Sequence, residues 1–175
     1  LGKRVDLDGA EVRVGPTPVK ALGVTDQHSQ LQLFKEGPDD KIYIFLRVEK
    51  FRCDVAIPSS FPELEAVSYL GAHTIEELFQ VEEHATEAAL VKEGRPVATV
   101  TFRGPDAAEV GEFFYWLEVQ TLAAGALAGI NPLDQPGVEE GKHFAYGLLG
   151  RKGYEAKRLE MEAFGAEGLK ASLRF

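Results

Sequence analysis

The sequence is short of cysteine, of excess positive charge and of long apolar runs, and each shortage excludes a class of protein. A single cysteine, Cys53, has no partner for an internal disulfide and cannot build a cysteine-based zinc site, which fits a reducing compartment. The net charge of −9 argues against a broad nucleic-acid surface or an anionic-membrane surface. An anionic substrate would need a local cluster of donors, because the field of the whole chain repels it. No apolar run reaches the roughly 18 residues that a membrane span needs. What remains is ordinary: 175 residues, 45% hydrophobic and 27% charged, the make-up of a soluble globular domain with one substantial core.

Residues 4–14, RVDLDGAEVRV, alternate around Asp8-Gly9 and predict a β-hairpin, since both turn residues tolerate positive φ. Thr25-Asp26 is an N-cap signal for a helix that carries Leu31 and Phe34 and stops at Gly37-Pro38. Residues 42–49, IYIFLRVE, read as a strand, with the composition of a buried one. From Thr74 to about Glu93 the apolar residues recur at helical spacing, and Thr74-Ile-Glu-Glu offers a capping box. Residues 96–102 alternate as a strand. Residues 106–129 form the most apolar helix, apolar nearly all round, which predicts burial between layers or at a subunit contact. Two shorter helices follow at about 137–149 and 153–163. Strands joined by long crossover helices predict an α/β fold with parallel pairing. The strands are too few for a complete doubly wound sheet, so the sheet is small or continues in sequence upstream of Leu1.

Three residues stand out chemically. His28 falls in the first turn of its helix, where positive potential favours the neutral imidazole, able to exchange protons near neutral pH. Position alone favours a plainer reading, a histidine helping to cap the helix. Asp134-Gln135-Pro136-Gly137 reads as a helix start with Asp134 as N-cap. Lys142, seven positions after Gln135, returns to nearly the same helix face about two turns on. An amide and an ammonium on one face suit the hydroxyls and ring oxygen of a sugar, and on position alone a solvated surface is the simpler account.

Other patterns carry less. Glu83-His84 with Glu87 lacks the second histidine of a metal-binding H-E-x-x-H and reads as a solvated helix face, so no metal site is expected. His73 and His143 have no spaced partners. The glycines of residues 147–153 follow a helix where a phosphate loop should follow a strand, and Gly150 is expected to end that helix.

Two stretches resemble the phosphoglucose isomerase family. Its G-x-T-x-x-H-S segment is matched by Gly23, Thr25, His28 and Ser29, and its C-terminal D-Q-x-G-V-E-x-x-K by Asp134, Gln135, Gly137, Val138, Glu139 and Lys142. The second motif is specific, and the order, spacing and element pattern resemble the family over essentially the whole chain. Leu133 and Ala128 depart from the usual larger residues at two packing positions.

The resemblance implies a C-terminal sugar-isomerase domain of a longer cytoplasmic enzyme. Its fold would be a three-layer, doubly wound sandwich with a mainly parallel sheet, partial at the N-terminus. The implied reaction interconverts glucose 6-phosphate and fructose 6-phosphate through ring opening and a cis-enediol, with no cofactor. His28 would assist ring opening, Lys142 would act at the ring oxygen, and Gln135 would hold a substrate oxygen. Gly2-Lys3 match the end of the family's E-S-x-G-K segment, which places the catalytic glutamate before Leu1 and predicts little turnover by this chain alone. Family members are dimers in which the histidine enters the neighbouring site, so a homodimer sharing His28 is implied. The competing expectation is a non-catalytic sugar-phosphate-binding module of the same fold.

Overall fold

In the computed structural model, which describes residues 1–168, the chain opens on an antiparallel hairpin of β1 (Lys3–Val5) and β2 (Glu11–Val14). Asp6 explains its turn. The carboxylate Oδ1 accepts from the backbone N–H of Asp8 at 3.0 Å and of Ala10 at 2.8 Å, and Gly9 supplies the positive φ of +85° that the reversal requires.

Helix α1 (Thr25–Glu36) follows, and it starts differently from expectation. Its N-cap is Val24, with no side-chain capping bond, and Asp26 instead turns back so that its carboxylate accepts from Leu22 N at 2.7 Å. The far end of α1 is clamped. Arg95 donates to the carbonyls of Lys35 (2.8 Å) and Gly37 (2.7 Å), and the Tyr43 hydroxyl donates to Phe34 O at 3.0 Å. Five donors in a rigid fork let one guanidinium satisfy the carbonyls that a helix end leaves open.

Strands β3 (Tyr43–Val48) and β4 (Val97–Phe102) pair in parallel, in register from Tyr43 with Val97 to Val48 with Phe102. Parallel pairing needs a crossover. It contains a one-turn helix, α2 (Glu65–Ser68), which the apolar periodicity does not reveal, and the long α3 (Ile75–Lys92). Thr74 caps α3 as expected, its hydroxyl accepting from Glu77 N at 3.2 Å. The return half of the capping box is absent, because the Glu77 carboxylate lies 2.9 Å from His73 Nδ1 instead. Leu90 of α3 is fully buried. Arg47 of β3 reaches α3, with Nε 2.7 Å from Glu83 and a second nitrogen on Glu87, whose other oxygen accepts from Thr99 Oγ1 at 2.7 Å. Glu83 and Glu87 are therefore ion-pair partners of the strand, not a solvated face as expected.

Two burial expectations meet different outcomes: that for β3 is corrected, and that for the apolar helix is narrowed to a subunit contact. Along β3 exposure alternates, leaving Ile44 and Leu46 open to solvent, so the strand is not buried on both faces. Helix α4 (Ala107–Leu127) is apolar nearly all round yet exposes most of its large side chains, Phe114 at 60% and Leu127 at 90% among them. Its start is ordered by Asp106, which accepts from the N–H of Ala108 (2.8 Å) and Glu109 (2.9 Å). Glu109 is buried and satisfied by Arg103 Nε at 2.6 Å.

The remaining helices are α5 (Pro136–Leu148) and α6 (Glu155–Gly168). They pack closely at Gly147, where an added Cβ would lie 2.6 Å from Arg158 N and 2.7 Å from Tyr154 O. The chain divides into two compact units. One contains Gly15–Thr121, with the parallel sheet, α1 and α3; the other contains the hairpin and the chain from Leu122 onward. Six helices and two two-stranded sheets, one of them parallel, make the class of the described residues mixed α/β.

Candidate functional site

His28 lies on the first turns of α1 and is exposed. With Gln27, Leu31, Gln32 and Lys35 it lines an open depression of about 350 Å³ along one side of that helix. The helix is held so that this side stays outward. Gln27 donates through Nε2 to Thr86 Oγ1 of α3 at 2.8 Å, and the Arg95 clamp fixes the other end. His28 is thus a solvent-facing imidazole on a helix that is held at both ends.

Gln135 and Lys142 belong to the other unit and share one helix start. Gln135 is the N-cap residue of α5, with φ −137° and ψ 63°, and its side chain makes no capping hydrogen bond. Pro136 occupies the first turn, where its missing N–H is harmless. The expected N-cap, Asp134, is not used as one. Its backbone carbonyl and its carboxylate both accept from the ammonium of Lys3 on β1. Lys142 stands in the second turn of α5, exposed, with Nζ 2.6 Å from Glu139 Oε1. The hydrogen bond and charge of Glu139 raise the Lys142 pKa above the ordinary lysine value, and the same bond lowers that of Glu139. An exposed lysine is a cation at neutral pH with or without that partner. Two turns of helix separate it from Gln135, about 10 Å of rise.

Among the described residues no group of three His, Cys, Asp or Glu side chains is placed to hold a metal ion, and no helix is long and apolar enough to cross a membrane. Sequence reasoning passed over Lys3, noting it only as a motif position. The signal available to it was the Gly2-Lys3 match. The partner, Asp134, lies 131 positions away and could not be read locally.

No family model matches the chain. Curated relatives do. It is 53% identical over 161 residues to a glucose-6-phosphate isomerase of Carboxydothermus hydrogenoformans, covering 92% of this chain and 35% of that protein. It is 51% identical over 142 residues to a glucose-6-phosphate isomerase of Rubrobacter xylanophilus, covering 81% of this chain and 33% of the relative. Among solved structures, a crystal structure of a hypothetical protein from Thermus thermophilus matches with a TM-score of 0.78 and 42% identity. That match covers 86% of this chain and 35% of the other. The chain spans about a third of the length of the curated relatives it matches. Over the span it covers, the chain belongs to the glucose-6-phosphate isomerase family.

Proposed function

We propose that this chain is the C-terminal sugar-isomerase segment of a longer glucose-6-phosphate isomerase. In that protein it would serve the interconversion of glucose 6-phosphate and fructose 6-phosphate. The observation that carries this reading is the start of α5. One helix start presents Gln135, whose side chain makes no capping bond, and, two turns on, the Lys142 ammonium, 2.6 Å from Glu139 Oε1. An amide that can both donate and accept suits a sugar hydroxyl. A fixed ammonium suits an oxygen that gains negative charge as the ring opens or the enediol forms.

In this reading Lys142 acts at the ring oxygen as a cation, the ordinary state of an exposed lysine at neutral pH. Gln135 holds a substrate oxygen. His28, exposed on α1, exchanges the proton of ring opening and does so in the site of a second subunit of a homodimer. The catalytic carboxylate that shuttles the proton between C2 and C1 is supplied by sequence outside this chain. The β3–β4 pair is then part of a mainly parallel sheet in a three-layer sandwich, and the enzyme works in the cytoplasm. Support for the sandwich comes from the parallel register of β3 and β4 across a helical crossover.

The test uses the full-length protein and two substrates. His28→Ala is expected to lower kcat more with cyclic glucose 6-phosphate than with an open-chain analogue. Equal losses on both would reject the ring-opening role, and a wild-type protein without isomerase activity would reject the reading itself.

A further inference from the structure

We propose that Lys3 is a positioning residue: it latches Asp134 and thereby sets the orientation of Gln135, an inference that rests on the isomerase reading above. The starting point is an anomaly of burial. Lysine seldom leaves water, yet the Lys3 side chain is only 8% exposed although it stands on a two-stranded hairpin. An ammonium withdrawn from water is tolerated only when paired and hydrogen-bonded. Both oxygens that receive it belong to one residue: the backbone carbonyl of Asp134 and its carboxylate Oδ1.

The carbonyl contact is the informative one. A plain surface ion pair would engage the carboxylate alone. Holding the Asp134 carbonyl fixes the plane of the peptide that joins Asp134 to Gln135, because the six atoms of a peptide unit move together. Gln135 needs such a constraint. It sits outside the helix proper, at φ −137° and ψ 63°, and no capping bond of its own side chain holds it.

The hairpin also grips the other end of the same connection. Leu7 N donates to Gly129 O at 2.8 Å, and Ile130, next in the chain, is fully buried. Between these anchors Leu133 N donates to Asn131 Oδ1 at 3.0 Å, and Pro132 lies so close to Gly125 that an added Cβ would approach it to 2.8 Å. The connection from Gly129 to Gln135 is therefore pinned at both ends by the hairpin. Lys3 holds the end that carries the substrate-facing amide.

The experiment is a double-mutant cycle on the full-length protein, measuring kcat and KM for glucose 6-phosphate. Lys3→Met is expected to lower kcat/KM about tenfold, since a displaced binding group costs on that scale even when the change is remote from the chemistry. Lys3→Arg, which keeps a charged donor, should recover most of it. In a Gln135→Ala background Lys3→Met should have almost no further effect, because the group that the latch orients is gone. The same fold-loss in both backgrounds would show a merely structural ion pair and overturn the proposal, as would unchanged kinetics in Lys3→Met. If Lys3→Met does not fold, Lys3→Gln enters the same cycle with the same expectations, since its shorter, neutral side chain cannot reach both Asp134 oxygens and leaves no charge to be buried. An active wild-type enzyme with an additive cycle sinks the latch alone; an inactive wild type sinks the latch and the isomerase reading together.

Discussion

Helix α5 contains two glycines for which the structure predicts opposite responses to the same substitution. Gly141 is exposed, and a Cβ there would meet nothing within 4 Å. Gly147 is buried, and its Cβ would meet Arg158 N at 2.6 Å, Tyr154 O at 2.7 Å and Arg158 Cα at 3.1 Å. In both cases alanine gains about 1 kcal/mol of helix propensity over glycine. At Gly141 nothing opposes that gain. At Gly147 the obstructing atoms are backbone, which cannot rotate aside, so the overpacking cost falls near the upper end of about 1–3 kcal/mol. The net expectation is a loss of about 2 kcal/mol for Gly147→Ala and a gain of about 1 kcal/mol for Gly141→Ala. For a chain of 175 residues, at about 2–4 °C per kcal/mol, the melting temperature should fall by about 4–8 °C in the first variant and rise by about 2–4 °C in the second. Thermal unfolding followed by circular dichroism measures both, with urea midpoints as an independent check. Shifts of the same sign, or a Gly147→Ala variant as stable as wild type, would refute the close approach of α5 and α6.

Other substitutions test the remaining contacts. Thr74→Ala removes the acceptor for Glu77 N and should lower stability by about 1 kcal/mol in urea unfolding, with Thr74→Ser close to wild type. Arg47→Met strands Glu83 and Glu87 and should cost about 2 kcal/mol at pH 7, less than for a fully buried pair because these side chains keep about a fifth of their exposure. The Glu87 carboxyl is held below the ordinary glutamate value by the Thr99 hydroxyl and then by Arg47, so its contribution is present above that ordinary value and is lost as pH falls through the depressed one. The urea midpoints of wild type and Arg47→Met should accordingly converge in acid, and a gap that does not narrow as pH falls below the ordinary glutamate value would contradict this assignment. Gln135→Ala and Lys142→Ala in the full-length protein should each lower kcat/KM by about 10–100-fold, the worth of about 1.5–3 kcal/mol for a hydrogen bond involving a charged group, with unchanged melting temperature.

Much of the fold was legible because its signals are local. The hairpin was legible in Asp8-Gly9, although only Gly9 of the two takes a positive φ and the turn is closed by the Asp6 carboxylate, which the pattern did not single out. The start of α3 is written in Thr74 three positions before Glu77. The parallel pairing of β3 and β4 followed from two strands joined by a long helix. Burial was less legible, and for a physical reason. An apolar circumference on α4 states that the side chains prefer to leave water, but where they go depends on surfaces that periodicity along one helix does not encode. Phe114 and Leu127 accordingly read as buried between layers or at a subunit contact, and within this chain they stand exposed. The one-turn α2 was missed because four residues carry no helical period at all.

The residues of the candidate site were found through motif resemblance, and the error made there is instructive. Asp134 before Pro136 has every local mark of an N-cap, since a short carboxylate ordinarily accepts from the free N–H groups of the first turn. In the fold it faces a stronger donor. The Lys3 ammonium, almost removed from water, must have an anionic partner, whereas the exposed N–H groups of α5 can be satisfied by solvent. The buried charge wins the carboxylate. The cap position then passes to Gln135, whose side chain does not perform the capping and whose amide is left for other use. That outcome depends on a contact spanning 131 positions, so no window of sequence around Asp134 could contain it. The local rule therefore failed where a long-range charge pair, and the chemistry attributed to its neighbour, take precedence over helix capping.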